Sequence, residues 1–234
     1  MSIETAIIIA GGRGLRLGPY TEDIPKPMMK VLGKPLLQWI LEWLVKEGIK
    51  KVVIGVAYRK EKIIEYFEDG SAFGIKLTYS HHKLESGTGG AFKLAIKNGK
   101  VNDKTFLAMN GDELTDIAIK NLASFHNTQN GIVTVLAAPL RSNFGVLEIN
   151  NQHTVTSFEE KPLIDTKFVS SGIYIFDQKV YDFLPEEGSL ERETFKKLTE
   201  DNKLKAFRYF GFWQTVNTIK DMEIVENDLK RIRR

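Results

Sequence analysis

The chain has 234 residues, 42% of them hydrophobic and 27% charged, with a formal net charge of +3 and no cysteine. That length buries a sizeable core and those shares are ordinary for a globular protein, so global disorder is excluded. Without cysteine there is no disulfide, thiolate nucleophile or cysteine-held metal, and a charge of +3 spread along the chain is too mild for a nucleic-acid surface.

The first residues, MSIETAIII, lack the charged start, long apolar stretch and cleavage site of a signal peptide, and no apolar run reaches membrane-spanning length. A cytoplasmic protein with no nucleic-acid and no membrane partner is expected, with homo-oligomerisation left open. Residues 6–10 form a short isoleucine-rich run, as a buried parallel strand does. The run breaks into Gly11, Gly12 and Gly14, followed by the cations Arg13, Arg16 and Lys26, with Pro25 and Pro27 framing Lys26. A strand feeding a glycine loop seeded with cations suits a polyphosphate. It is not a P-loop, because no Lys-Ser or Lys-Thr follows the glycines. Nor is it G-x-G-x-x-G, because Leu17 stands where the third glycine belongs.

Downstream, residues 36–47 carry apolar positions on one helical face and stop at Gly48. A second strand is predicted over 51–57, a helix over 60–69 and a third strand over 75–79. Strands alternating with helices predict βαβ units in a mostly parallel sheet, with ligands at the carboxyl ends of the strands. Gly87, Gly89 and Gly90 precede a helix predicted from about Ala91, where backbone N–H groups are free to meet a base or a phosphate. Residues 105–110 form another strand ending in Gly111 and Asp112, an acid placed to face the same crevice and hold a hard cation. Glu113 and Asp116 read as solvated or helix-capping residues. From Gly131 the pattern turns β-rich, with strands at 131–138, 144–149, 154–160 and 168–176 and a turn at Asn150 and Asn151. Antiparallel pairs are expected to extend the sheet there. A final helix follows Thr218, and its end at Lys230, Arg231, Arg233 and Arg234 reads as a solvated basic terminus.

Gly11, Gly12, Gly14, Arg16, Leu17, Pro19, Thr21, Pro25, Lys26 and Pro27 fall in register with the signature G-G-x-G-T-R-L-x-P-x-T-x-x-x-P-K-P. In this the chain resembles the sugar-1-phosphate nucleotidylyltransferases, with Leu15 where the family has Thr or Ser. The resemblance continues through Gly87-Thr88-Gly89-Gly90-Ala91, Asn110-Gly111-Asp112, Phe144-Gly145-Val146, Glu160-Lys161-Pro162 and Ser171-Gly172-Ile173-Tyr174. It implies a doubly wound α/β fold with an antiparallel extension, read as one domain over 1–234. Residues 1–130 form its nucleotide half and 131–234 its sugar-phosphate half. It also implies transfer of a nucleotidyl group from a nucleoside triphosphate to a sugar 1-phosphate, with release of pyrophosphate.

By the same resemblance Arg16, Lys26 and Asp112 are catalytic. Ala10, Gly11, Gly12, Gly14, Gly87, Thr88 and Asp112 face the nucleotide, together with His82, which stands where the family carries Glu or Gln. Gly145, Glu160, Lys161 and Ser171 face the sugar phosphate, and Mg²⁺ is the cofactor, held on Asp112. The family's second metal carboxylate falls on Thr215 by one alignment of Trp213-Gln214-Thr215-Val216-Asn217-Thr218. It falls on Asn217 by the other, which the cytidylyltransferase-like Gln214 favours. The segment SLERETFKKL leans towards GTP with a mannose- or heptose-type phosphate, and the alternative is UTP, CTP or dTTP with a hexose phosphate. The competing class is a nucleotide-binding regulatory protein, inactive for want of the second carboxylate. A nucleotide-sugar glycosyltransferase would carry an Asp-x-Asp motif, and the sequence has none.

Overall fold

The computed structural model describes residues 2–232, with side chains to residue 231, so Arg233 and Arg234 of the basic terminus lie outside the described residues. In chain order the elements are β1 (Thr5–Ile9), a two-residue ribbon of β2 (Lys30–Val31) with β3 (Lys34–Pro35), α1 (Leu36–Lys46), β4 (Lys51–Val56), α2 (Lys60–Phe67) and β5 (Lys76–His81). Then come α3 (Gly87–Asn98), β6 (Thr105–Asn110), β7 (Glu113–Thr115), α4 (Ile119–Thr128), β8 (Val133–Arg141), β9 (Val146–Ile149), β10 (Val155–Glu159) and β11 (Leu163–Asp177). The chain closes with α5 (Lys196–Glu200), β12 (Leu204–Arg208), β13 (Trp213–Thr215) and α6 (Ile219–Ile232).

Seven strands make one sheet in the order β12-β8-β11-β6-β1-β4-β5. β1 pairs in parallel with β4 and β6, β4 with β5, and β8 with β12, while β11 runs antiparallel to both β6 and β8. This is the expected mostly parallel α/β sheet with an antiparallel insertion. Both faces are covered. Alternation along β1 sends Ala6 and Ile8 into one apolar cluster, with α1, and Ile7 into another, with Phe92 of α3 and Tyr174 and Phe176 of β11. Each cluster draws residues from before and after residue 131. The chain moves outward from β1 to β4 and β5, then returns to the other side of β1 with β6. Strand order therefore reverses at β1, and a crevice opens beyond the carboxyl ends of β1 and β6.

Three differences from the sequence reading have local causes. Helix α3 begins at Gly87, not Ala91, so Gly89 and Gly90 lie in its first turn. A Cβ at Gly90 would stand 2.4 Å from the Glu186 carbonyl oxygen, and one at Gly89 2.7 Å from Pro185 Cγ. These glycines make room for residues 185–188, whose Gly188 carbonyl accepts the Gly89 N–H at 2.9 Å. Helix α4 escaped prediction because the fourth residue of its apolar stripe (Ile119, Leu122, Ala123) is a buried histidine, His126, hydrogen-bonded to Thr134 at 2.8 Å. Strand β11 starts at Leu163, well before the predicted 168, and jogs in register where Gly172 takes a φ of +74°.

Candidate active site

The loop after β1 is tied down from several sides. The Ala10 N–H donates to the Gly55 carbonyl at 2.8 Å, and the Gly11 carbonyl accepts from Tyr58 N–H at 3.2 Å. Gly14 turns the chain with a φ of +68°, and Thr21 Oγ1 donates back to its carbonyl at 3.1 Å. A Cβ at Gly11 would meet His82 Nε2 at 2.4 Å, so glycine here lets the imidazole pack on the loop. His82 Nδ1 is buried with no hydrogen-bond partner among the described residues, and burial lowers its pKa, so the ring is neutral at neutral pH.

Beyond this loop a cavity of about 640 Å³ is lined by Gly12, Arg13, Gly14, Leu15, Arg16, Lys26, Leu84, Glu85 and Asn217. A second, of about 560 Å³, is lined among others by Arg16, Arg141, Asn143, Phe210, Trp213, Gln214, Thr215, Asn217 and Lys220. The two share Arg16 and Asn217. At that seam the Lys26 ammonium donates to the Asp112 carboxylate and, at 2.9 Å, to Asn217 Oδ1. The Lys26 side chain is only 12% exposed, so this is no solvent lysine.

Residues 86 and 191 apart in sequence meet Lys26 for definable reasons. Asp112 follows β6 directly. The short strand β7 pairs with β13, Val216 N–H donates to the Asp112 carbonyl at 3.1 Å, and Asn217 then follows. Thr218 and Asp221 form a capping box at the start of α6. Thr218 Oγ1 accepts the Asp221 N–H at 3.2 Å, and Asp221 Oδ2 accepts the Asn217 and Thr218 N–H groups at 2.9 and 2.8 Å. Asn217, not Thr215, faces the seam; Thr215 Oγ1 accepts from Asn217 Nδ2 at 3.0 Å and holds its amide in place.

Glu113 is not solvated, as its neighbourhood in sequence suggested, but buried. The indole N–H of Trp213 donates both to its Oε2 and to the Ser171 carbonyl, each at 3.0 Å. Burial, and then the charge of Asp112, push the Glu113 pKa well up. Asp116 is exposed, but it caps no helix: it accepts from the Tyr209 hydroxyl and from Phe212 N–H, fastening the 209–213 turn that presents Trp213.

The remaining expected residues are scattered around this seam. Thr88 is engaged by the 189–191 segment, donating to Glu191 Oε2 and accepting from Leu190 N–H, both at 2.9 Å. Gly87 has a φ of +67° and abuts Gly188. Ser171 is fully buried and lines neither cavity. Gly145 sits beneath the Phe158 ring, at the base of the exposed β9–β10 ribbon. Glu160 and Lys161 pair with each other at 3.2 Å and are exposed; Lys161 lies two residues from Leu163, which does line the second cavity. The sequence reading missed Arg141, Asn143, Phe210 and Lys220. For Lys220 the sequence carried no distinctive signal: it is a cation in the first turn of α6, but Lys60 and Lys62 in α2 and Lys120 in α4 are placed alike.

Charged groups converging at the switch point of a parallel sheet, between two adjoining cavities, define an α/β protein built to handle phosphate-bearing ligands. Residues 5–231 match the nucleotidyl transferase family, and the chain belongs to that family of enzymes. It is 31% identical over 239 residues to the "Probable glucose-1-phosphate cytidylyltransferase" of Bacillus subtilis, covering 93% of this chain and 92% of that one. It is 32% identical over 222 residues to the "Mannose-1-phosphate guanylyltransferase catalytic subunit beta" of Drosophila melanogaster, covering 92% of this chain and 60% of the fly protein. The chain thus spans less than two thirds of the fly relative's length. Among solved structures, HddC from Yersinia pseudotuberculosis superposes with a TM-score of 0.77 at 26% identity, covering 97% of this chain and 100% of that one. The same protein complexed with GMP-PN superposes with a TM-score of 0.76 at 25% identity, over 97% of this chain and all of that one. Among the described residues no helix is long and apolar enough to cross a membrane.

Proposed function

We propose that the chain transfers a nucleotidyl group from a nucleoside triphosphate to a sugar 1-phosphate and releases pyrophosphate. The nucleotide lies in the glycine-loop cavity and the sugar phosphate in the second. The observation that carries this is the seam: two cavities meeting at Arg16 and Asn217, with the Lys26–Asp112 pair between them. A sugar-phosphate oxygen is already an anionic nucleophile, so the reaction needs no serine or histidine. It needs two polyanions brought together and charge stabilised on the α-phosphate and on the leaving pyrophosphate. Arg16, at the junction, serves both substrates. Lys26 and Arg13 hold the triphosphate, and the backbone of Gly11, Gly12 and Gly14 approaches it closely. His82, packed on Gly11, faces the nucleotide as a neutral imidazole. Arg141 and Lys220 line the second cavity, and neither forms an ion pair among the described residues. They attract the sugar phosphate there, and Lys161 reaches it from the base of the ribbon.

The donor set also suits Mg²⁺. Asp112 and Asn217 direct one oxygen each at a single cation position, and Mg²⁺ is commonly held by one or two protein oxygens with substrate phosphates completing its octahedron. Among the described residues no group of three or more acidic or histidine side chains would cage a metal without substrate. When bound, Mg²⁺ supplies Lewis-acid polarisation of the α-phosphate. The division into a nucleotide half, 1–130, and a sugar-phosphate half, 131–234, belongs to the same proposal.

GTP with a mannose- or heptose-type 1-phosphate is the proposed pair. The fly guanylyltransferase and the HddC complex with GMP-PN support it, while the Bacillus relative keeps CTP with a glucose-type phosphate as the alternative. A regulatory nucleotide-binding protein is the second reading, favoured by the neutral Asn217 at a position the family fills with a carboxylate. Pyrophosphate release over GTP, CTP, UTP, ATP and dTTP, against hexose and heptose 1-phosphates with Mg²⁺, separates the two. Release with one pairing is expected, and silence with nucleotide binding intact favours the regulatory reading.

A further inference from the structure

The Lys26 ammonium is a built feature of the seam. Pro25 is extended, with φ −66° and ψ 146°, and Lys26 opens a tight turn containing Pro27, so the stem leaves the chain in a fixed direction. Gly14 makes room for that stem: a Cβ there would stand 3.0 Å from Lys26 Cβ and 3.6 Å from Cδ. The ammonium is then seated between Asp112 and Asn217, whose side chain is itself held by Thr215. Among the described residues Asp112 is the carboxylate in contact with this ammonium, and Lys26 offsets its charge. A divalent ion approaching the same two oxygens would meet a site already filled by a cation.

We infer that Lys26 is the resident counter-ion of the metal position, and that a divalent ion gains Asp112 and Asn217 only when a triphosphate draws the ammonium away. This rests on the proposed function for the identity of what enters. Lys26 also lines the glycine-loop cavity beside Arg13 and Arg16, so rotation about its outer bonds carries the ammonium from the carboxylate towards phosphates bound there. Triphosphate and metal are then coupled: each raises the other's affinity by the same factor, because both depend on Lys26 leaving. The neutral Asn217 is what makes the arrangement conditional. A carboxylate there would leave one negative charge in excess with Lys26 in place, and that charge would attract a metal in the absence of nucleotide. The substitution that lowers metal affinity therefore makes metal arrival report on nucleotide arrival.

The test is Mn²⁺ binding without nucleotide, followed by the electron paramagnetic resonance of the free ion. Wild-type protein is compared with Lys26→Met and Lys26→Gln, and with each of these carrying Asp112→Asn, after circular dichroism has confirmed the fold. Removing the ammonium is expected to tighten Mn²⁺ binding at least tenfold, and adding Asp112→Asn to abolish the gain. An affinity unchanged within twofold in either folded Lys26 variant, or a gain that survives Asp112→Asn, overturns the inference. Calorimetric titration of the five triphosphates into wild-type protein tests the underlying reading separately. Failure of all five to bind counts against nucleotidyl transfer, while the Mn²⁺ ratio still decides the role of Lys26.

Discussion

Replacing Asn217 with aspartate adds one charge at the position on which the metal account turns. Asn217 Oδ1 lies 2.9 Å from the Lys26 nitrogen, whereas a bound Mg²⁺ sits about 2.1 Å from its ligand oxygens. Coulomb attraction scales with charge over distance, so the new carboxylate favours the divalent ion over the ammonium by a factor of about three. A charged partner raises a contact from about 0.5–1.5 to about 1.5–3 kcal/mol, so the added charge contributes about 1–1.5 kcal/mol. Subtracting the third or so that strengthens the grip of Lys26 leaves roughly 0.7–1 kcal/mol for the metal, a factor of about 3–5. The assay is the Mg²⁺ concentration giving half-maximal pyrophosphate release at saturating substrates, and Asn217→Asp should lower it by that factor. No shift, or a higher requirement, would place Asn217 outside the metal's reach and remove the reason for reading it as the lost carboxylate.

Three further outcomes are expected. Gly90→Ala should destabilise the protein by up to about 2 kcal/mol in urea unfolding, because a clash costing roughly 1–3 kcal/mol with the Glu186 carbonyl outweighs the helix preference for alanine of about 1 kcal/mol; stabilisation would mean that residues 185–188 yield freely. His126 lies on the buried face of α4, and burial lowers its pKa despite the opposing charge of Asp177. The unfolded chain therefore binds the extra proton first as pH falls below the ordinary imidazole value of 6.5, and stability is lost in that direction. His126→Gln should flatten the decline in melting temperature between pH 7 and pH 5, and an unchanged slope would clear His126 of it. Arg141→Met should raise KM for the sugar phosphate about tenfold while leaving nucleotide KM within twofold, an effect of a size usual for one lost charged contact. A change in nucleotide KM instead would put the sugar phosphate elsewhere.

The parts of this structure legible in the sequence are those that local pattern determines. The isoleucine run of β1, the apolar face of α1 and the strand ending at Asn110 reflect side-chain periodicity, and the parallel sheet follows from their alternation. The glycine loop and Asp112 were legible because both lie at carboxyl ends of strands flanking the switch point. Glu113 was misread because its burial depends on Trp213, 100 residues away, whose indole needs an acceptor at that spot. Gly89 and Gly90 read as ligand-facing glycines, whereas their immediate partner is the backbone of residues 185–188, a tertiary contact with no local signature. Arg141 and Phe210 reach the second cavity only through the pairing of β8 with β11 and the turn held by Asp116, which no spacing rule encodes. The meeting of Lys26, Asp112 and Asn217 is likewise a product of the fold, through the β7–β13 pairing.

The most direct test of the central claim follows the oxygens. A sugar 1-phosphate labelled with ¹⁸O in its non-bridging phosphate oxygens is turned over with the preferred triphosphate and Mg²⁺, and both products are weighed by mass spectrometry. Attack by the sugar phosphate on the α-phosphate leaves every label in the nucleotide sugar, one of them now bridging, and none in the pyrophosphate. Label in the pyrophosphate, or a nucleoside monophosphate formed in place of a nucleotide sugar, would contradict nucleotidyl transfer at this seam.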